Sequence, residues 1–238
     1  MNREDLLALR PDDVIWKLTA QEVVHIATTL DAFWSYNYEA GKHDKPGLHA
    51  LLKSLRHSDG FFVSKIMLAH ENIRKIMAVQ MKMRLDKCID PPDWLGGIPD
   101  GATELGEDLA ELYGCNVAKM EKVDGKIHLI SEIGDNETLL LAEDFCTHGT
   151  GFTEAIIDVH SKNTRVWFIF YEPVIINRGG LEYIEVEGVG VFKILPIAEY
   201  RINDWSEDQC LLCHEFGSKP IKPKKTDENW EMITTAQL

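Results

Sequence analysis

The amino-acid sequence predicts an α/β fold, with a mostly parallel central sheet flanked by helices, and three features of the chain carry that prediction. Residues Thr138–Ala142 are a continuous apolar run, the pattern of a strand covered on both faces. A glycine-containing turn and a helical stretch over 151–161 separate that run from a second buried strand expected over Arg165–Tyr171. Strand, turn, helix and strand thus follow in the order of a βαβ unit. Upstream, a Trp94–Ile98 strand, a Pro99–Thr103 turn and a Glu104–Tyr113 helix repeat the order, with Gly114 placed to close the helix.

The remaining elements follow from the same rules. Thr19-Ala20-Gln21-Glu22 has capping-box spacing and opens a stretch with Val23, Ile26, Leu30 and Phe33 at helical period, which predicts a helix over 19–40 ended near Gly41. After a Gly41–Gly47 loop, residues 71–87 form a second expected helix, with Ile73, Ile76, Met77, Gln80 and Met81 on related faces and Pro91-Pro92 beyond it. Val117–Met120 and Lys126–Ile130 flank Asp124-Gly125, a two-residue hairpin signal. Leu181–Val186 and Val189–Leu195, after Gly179-Gly180, pair as an antiparallel hairpin. The tail from Pro220 is Lys/Pro-rich, then polar, and is expected to be loosely ordered. The chain is thereby divided into an N-terminal helical extension (1–45), a main domain (46–215) and a C-terminal tail (216–238).

Composition narrows the function classes. With 238 residues, 45% of them hydrophobic, the chain can bury a large core without disulfide staples. A net charge of −14 argues against nonspecific binding to nucleic acid or anionic membranes, although a few local lysines can still hold a small anion. No apolar run approaches the roughly 20 residues of a membrane span, and Met1–Asp13 has no signal-peptide pattern. The five scattered cysteines fit reduced thiols in a cytoplasmic protein.

The chemistry concentrates in Leu139–Thr153. An apolar strand ends in two adjacent carboxylates, Glu143 and Asp144. A Thr/Gly-rich turn and then a helix follow. Open α/β sheets bind ligands beyond the carboxyl ends of their strands. The turn's N–H groups and the helix N-terminus form a phosphate cradle, to which Thr147, Thr150 and Thr153 add hydroxyls. Carboxylates accept hydrogen bonds from the cis hydroxyls of a sugar. One loop therefore offers acceptors for a ribose and donors for its phosphate; a strand-to-helix turn with capping threonines is the plainer alternative.

Glu143-Asp144-Phe145-Cys146-Thr147-His148-Gly149-Thr150-Gly151 resembles the phosphoribosyl pyrophosphate (PRPP)-binding motif of type I phosphoribosyltransferases, with Glu for the commoner first Asp and His148 where a small residue is usual. Leu52-Lys53-Ser54-Leu55-Arg56-His57-Ser58, followed by Phe61-Phe62, resembles the N-terminal substrate segment of the orotate enzymes of that family, with Leu55 where they prefer Gly. Lys119 and Lys122 fall on the lysines of the family's mobile loop, with Asp124 in place of its usual His. Gly97–Gly106 stands where the family has its pyrophosphate loop, but without the lysine that orotate enzymes often carry there. Asn177-Arg178-Gly179-Gly180 loosely resembles the arginine loop that faces the orotate carboxylate.

The resemblance implies the type I phosphoribosyltransferase fold with a small hood, and transfer of ribose 5-phosphate from PRPP to a base, orotate first. It implies Glu143 and Asp144 on the ribose hydroxyls and Thr147, His148, Gly149, Thr150 and Gly151 on the 5-phosphate. Lys122 acts on the leaving group, and Lys119, Lys53, Asp100 and Gly101 contact PRPP. Lys53, Phe61, Phe62 and Arg178 surround the base. Mg²⁺ as cofactor and a homodimer complete the expectation. A purine or nicotinamide as the base, or a non-catalytic sensor of PRPP or a nucleotide on the same fold, are the alternatives. Cys210-x-x-Cys213, followed by His214, supplies one ligand pair where structural zinc usually takes two, so no metal ligand is expected. His57 is read as a loop histidine.

Overall fold

The computed structural model describes residues 1–224 and 226–238. They form two compact units: Met1–Thr29 with Ser64–Arg201, and Leu30–Val63 with Ile202–Leu238. This grouping differs from the expected divisions at 45 and 215.

In the first unit the strand order is Tyr183–Val186, Gly190–Glu199, Tyr171–Asn177, Thr138–Cys146, Trp94–Gly97, Asn116–Val117. Every neighbouring pair is parallel except the first, an antiparallel hairpin. Thr138–Cys146 is hydrogen-bonded on both sides, which is why Leu139, Leu140, Leu141 and Ala142 are all apolar and all buried. The helix Thr103–Tyr113 ends on Gly114 at φ 66°, the left-handed cap expected of that glycine. The hairpin Met120–Val123/Lys126–Leu129 turns through Asp124 and Gly125, both at positive φ.

Two sequence expectations change here. The strand expected over Arg165–Tyr171 is only a two-residue bridge, Trp167–Phe168. The long parallel strand is Tyr171–Asn177, with Pro173 in its middle. A proline discourages a central-strand reading because it cannot donate to the ladder. The helix expected over 19–40 stops at Thr29: Asp31 takes φ 57°, and Phe33–Ser35 becomes a strand paired with Gly60–Phe62.

The segment before that helix is tied down within the first unit. Buried Gln80 accepts from the Leu18 N–H (2.8 Å) and donates to the Trp16 carbonyl (2.8 Å), while Asn72 donates to the carbonyls of Leu6 and Leu9. Arg74 pairs with Asp108 (2.6 Å) and Glu104 (2.7 Å), joining helices Glu71–Leu85 and Thr103–Tyr113.

The second unit holds a four-stranded sheet in the order Asp204–Trp205, His57–Ser58, Leu48–Leu51, Lys219–Ile221. The tail is therefore not loose. Lys219–Ile221 is a paired strand, and the helix Asp227–Thr235 buries Trp230 and Ile233. His57 lies on a strand and is buried, not in a loop.

Candidate active site

The strand Thr138–Cys146 delivers Glu143 and Asp144 to the carboxyl edge of the sheet, where successive side chains point to opposite faces. The two acids therefore part. Asp144 stands against the Gly97–Gly106 loop: a Cβ on Gly101 would overlap its carboxylate. Its Oδ1 accepts from the Phe145 N–H at 2.8 Å. Burial raises its pKa above the ordinary aspartate value, and hydrogen bonds from Ser64 and Phe145 work the other way.

Glu143 turns toward the helix side. Its Oε1 lies at the neck of the following turn, 3.1 Å from where a Cβ on Gly151 would sit. Its Oε2 is buried, as are both carboxylate oxygens of Glu172, and among the described residues the only polar groups these three oxygens meet are the other carboxyl of the pair and the Cys146 thiol. Glu172, on the adjacent strand Tyr171–Asn177, is fully buried. One carboxylate oxygen of each acid and Cys146 Sγ lie within 4.8 Å of one another. Burial is the main cause of the raised pKa of both acids, and the approach of Glu172 pushes Glu143 higher still. Glu172 is pushed up to about 7. Two buried carboxyls this close hold at least one proton between them near neutrality. Asp144 faces the glycine loop, and Glu143 offers one oxygen near Gly151 with the other turned inward.

The turn Thr147–Gly149 leads into the helix Thr150–Lys162, whose N-cap, Gly149, sits at φ 64° with no side-chain cap. The helix's first N–H groups are thus left to a ligand or solvent. Three glycines fit the backbone tightly here. A Cβ on Gly149 would strike Ile184, one on Gly151 would crowd Glu143, and one on Gly179 would overlap the Thr147 carbonyl. The Arg178 loop is held against the same turn. The Arg178 N–H donates to the Cys146 carbonyl (2.9 Å), and Asn177 accepts from the Gly180 N–H and donates to the Leu181 carbonyl.

The lysine hairpin is clamped to the same helix. Glu154 accepts from the Ile127 N–H (3.1 Å), and Asp158 accepts from the Leu129 N–H (2.7 Å). Lys119 and Lys122 are exposed. Lys119 shares a cleft of about 170 Å³ with Gly97 and Thr103 of the glycine loop. The fold thus gathers Glu143, Asp144, Thr147–Gly151, Asp100, Gly101, Lys119 and Arg178 in the first unit, around the carboxyl edge of one sheet.

Lys53, Phe61 and Phe62 belong to the second unit. Lys53 is exposed in a turn closed by Leu55 at φ 62°, the left-handed conformation that explains a preference for glycine at that position. Phe61 is half-buried, 6.2 Å from the Trp230 ring. Phe62 is buried and stacks on Phe33 at 4.0 Å. Its strand neighbours alternate faces, so only one of two adjacent aromatics can face outward. Glu172 and Ser64 were not among the residues singled out from the sequence. Glu172 was hidden beyond the expected end of its strand, and nothing in the sequence connects Ser64 with Asp144.

No protein-family model and no curated protein sequence matches the chain. Solved structures do. The orotate phosphoribosyltransferase of Aeropyrum pernix superposes with a TM-score of 0.53 at 14% identity, over 74% of this chain and 93% of that one. The UMP synthase of Leishmania donovani gives 0.57 at 12% identity, over 79% of this chain and 38% of that one. The chain has the phosphoribosyltransferase fold expected from its motif.

Proposed function

We propose that this protein is a phosphoribosyltransferase that transfers ribose 5-phosphate from PRPP to a nitrogenous base, with orotate as the favoured base. The observation that carries the reading is the sheet edge itself. There an acid, Asp144, stands against a glycine loop, beside a turn that opens an uncapped helix N-terminus. A sugar carrying a 5-phosphate and a 1-diphosphate needs those three elements side by side.

In this reading Thr147–Gly151 grips the 5-phosphate through backbone N–H groups and hydroxyls, and His148 adds a donor. Asp144 and Oε1 of Glu143 accept from the ribose hydroxyls. Gly101 and its neighbours let the backbone approach the diphosphate. Lys119 and Lys122 neutralise the leaving group, and Arg178 recognises the base. The C1–O bond to pyrophosphate breaks as the base nitrogen attacks, and positive charge grows on the sugar. The protein's work is orientation and electrostatics, with no covalent nucleophile. Asp100 and Asp144 are oxygen donors at one edge and suit a hard cation. Mg²⁺, bound mainly through diphosphate oxygens and water, would supply charge neutralisation there.

Incubation with PRPP, Mg²⁺ and separate bases, following pyrophosphate release, tests the proposal. Orotate-dependent release should fall at least 100-fold in Asp144→Asn, since loss of one such electrostatic contact typically removes about 3 kcal/mol of barrier stabilisation. Unchanged turnover in a folded Asp144→Asn variant refutes the site. The Gly97–Gly106 loop carries no Lys or Arg, which favours a second reading, a PRPP sensor; PRPP binding without turnover of any base would select it.

A further inference from the structure

We propose that the second unit contains a structural zinc site formed by His49, His57, Cys210 and Cys213. The ligand count that the sequence left two short is completed by two histidines distant in the chain: His49 lies 161 residues before Cys210, and His57 lies 156 residues before Cys213. One ligand atom from each of the four residues lies within 4.8 Å of the others.

The individual distances decide between a loose cluster and a coordination shell. Cys213 Sγ is 3.3 Å from His57 Nδ1 and 3.6 Å from His49 Nε2; Cys210 Sγ is 3.7 Å from His49 Nε2; the two ring nitrogens are 2.9 Å apart. Tetrahedral zinc with Zn–S of about 2.3 Å and Zn–N of about 2.0 Å places N and S about 3.5 Å apart and the two nitrogens about 3.3 Å apart. The sulfur–nitrogen distances already match, and the nitrogens need to part by only a few tenths of an ångström.

The scaffold supplies the rest. Leu51 pairs with His57 and Ala50 with Ser58, so His49 and His57 lie diagonally on one face of the sheet. Cys210 precedes the short helix Leu211–His214 and Cys213 lies within it, so the Cys-x-x-Cys spans its first turn. His49 Nδ1 is 2.9 Å from Ser218 Oγ, which in turn donates to the Gly47 carbonyl at 3.3 Å. A hydroxyl engaged that way accepts from Nδ1–H, which leaves the Nε2 lone pair directed at the sulfurs; such an outer partner is usual for a metal-bound histidine. His214 is not a ligand: its Nε2 faces the Asp208 carbonyl. Zn²⁺ would displace one proton from each thiol, and two thiolates would balance its charge. The filled site is neutral, which suits a place where His49, His57 and Cys210 are all buried. The metal would pin Leu48–Ser58 to the segment around 210–221, two stretches distant in the chain.

Zinc content of the full chain, purified without chelator or metal-affinity resin, tests the site independently of any enzymatic activity. We expect one zinc per chain, retained in Cys88→Ser, an exposed cysteine, and lost in Cys213→Ser and His49→Ala. Because those variants could misfold, the wild-type chain, stripped under reducing conditions, is also titrated with Co²⁺. One equivalent should produce thiolate-to-cobalt charge transfer and the strong visible bands of tetrahedral cobalt, abolished by one equivalent of Zn²⁺. Absence of both bound zinc and the cobalt charge-transfer band overturns the proposal, as does zinc retained at full stoichiometry in a folded Cys210→Ser/Cys213→Ser variant.

Discussion

Replacing Glu172 by Gln tests whether this buried acid holds a proton. Its carboxyl is pushed from 4.5 up to about 7 by burial. The folded state therefore binds the proton more tightly than the unfolded state, and unfolding releases it between those two values. The folded pKa is the raised one, so the stability this group contributes is fully present below about pH 4.5 and is lost as pH rises through 7. At 1.36 kcal/mol per pKa unit, the loss by pH 8 is about 3 kcal/mol. A glutamine mimics the protonated acid: its N–H can donate toward Glu143 and it cannot ionise. Urea denaturation of wild type and Glu172→Gln at pH 5, 6, 7 and 8 reads the difference, because titrations remote from the pair cancel, while removing the Glu172 charge also lowers the raised pKa of Glu143 and acts in the same sense. The variant should equal or slightly trail wild type at pH 5 and overtake it by pH 8, a change in the gap of about 3 kcal/mol. A gap that stays constant across the range refutes the shared-proton reading of Glu143 and Glu172.

Other substitutions test the packing around the site. Gly149→Ala places a Cβ on Ile184 at a residue held at φ 64°, and should cost at least about 2 kcal/mol in thermal or urea unfolding; equal stability would show that the turn relaxes. Arg74→Met leaves Asp108, 8% exposed, without its 2.6 Å partner, a loss of about 3 kcal/mol in urea unfolding; unchanged stability would show that the pair contributes nothing. Gln80→Ala strands the Leu18 N–H and Trp16 carbonyl, costing about 2 kcal/mol, with faster proteolytic cleavage near residues 10–18 as the visible sign.

Much of the architecture was legible because it rests on local chemistry. Leu139–Ala142 read as a doubly covered strand since each residue is apolar, and a strand with sheet neighbours on both sides and both faces packed admits little else. Gly114 and Asp124-Gly125 read as a helix stop and a hairpin because left-handed backbone has few occupants. The acid pair and the Thr/Gly turn read as a ligand edge because strand polarity and helix dipole act within a few residues of one another.

What only the tertiary structure decided involves residues distant in the chain. Pro173 concealed the strand Tyr171–Asn177, and with it Glu172, because propensity discourages what a central position in the sheet overrides. The extended helix stopped at Thr29 because pairing with Gly60–Phe62 outweighed a helical period continuing to Phe33. Strand alternation sent Glu143 and Asp144 to opposite faces, and only the burial of Glu172 made Glu143 one of a proton-sharing pair. His49 and His57 joined Cys210 and Cys213 through sheet register and a returning C-terminal strand. Local sequence governs backbone shape over a few residues. Burial and proximity, which set charge state and ligand number, are properties of the folded chain.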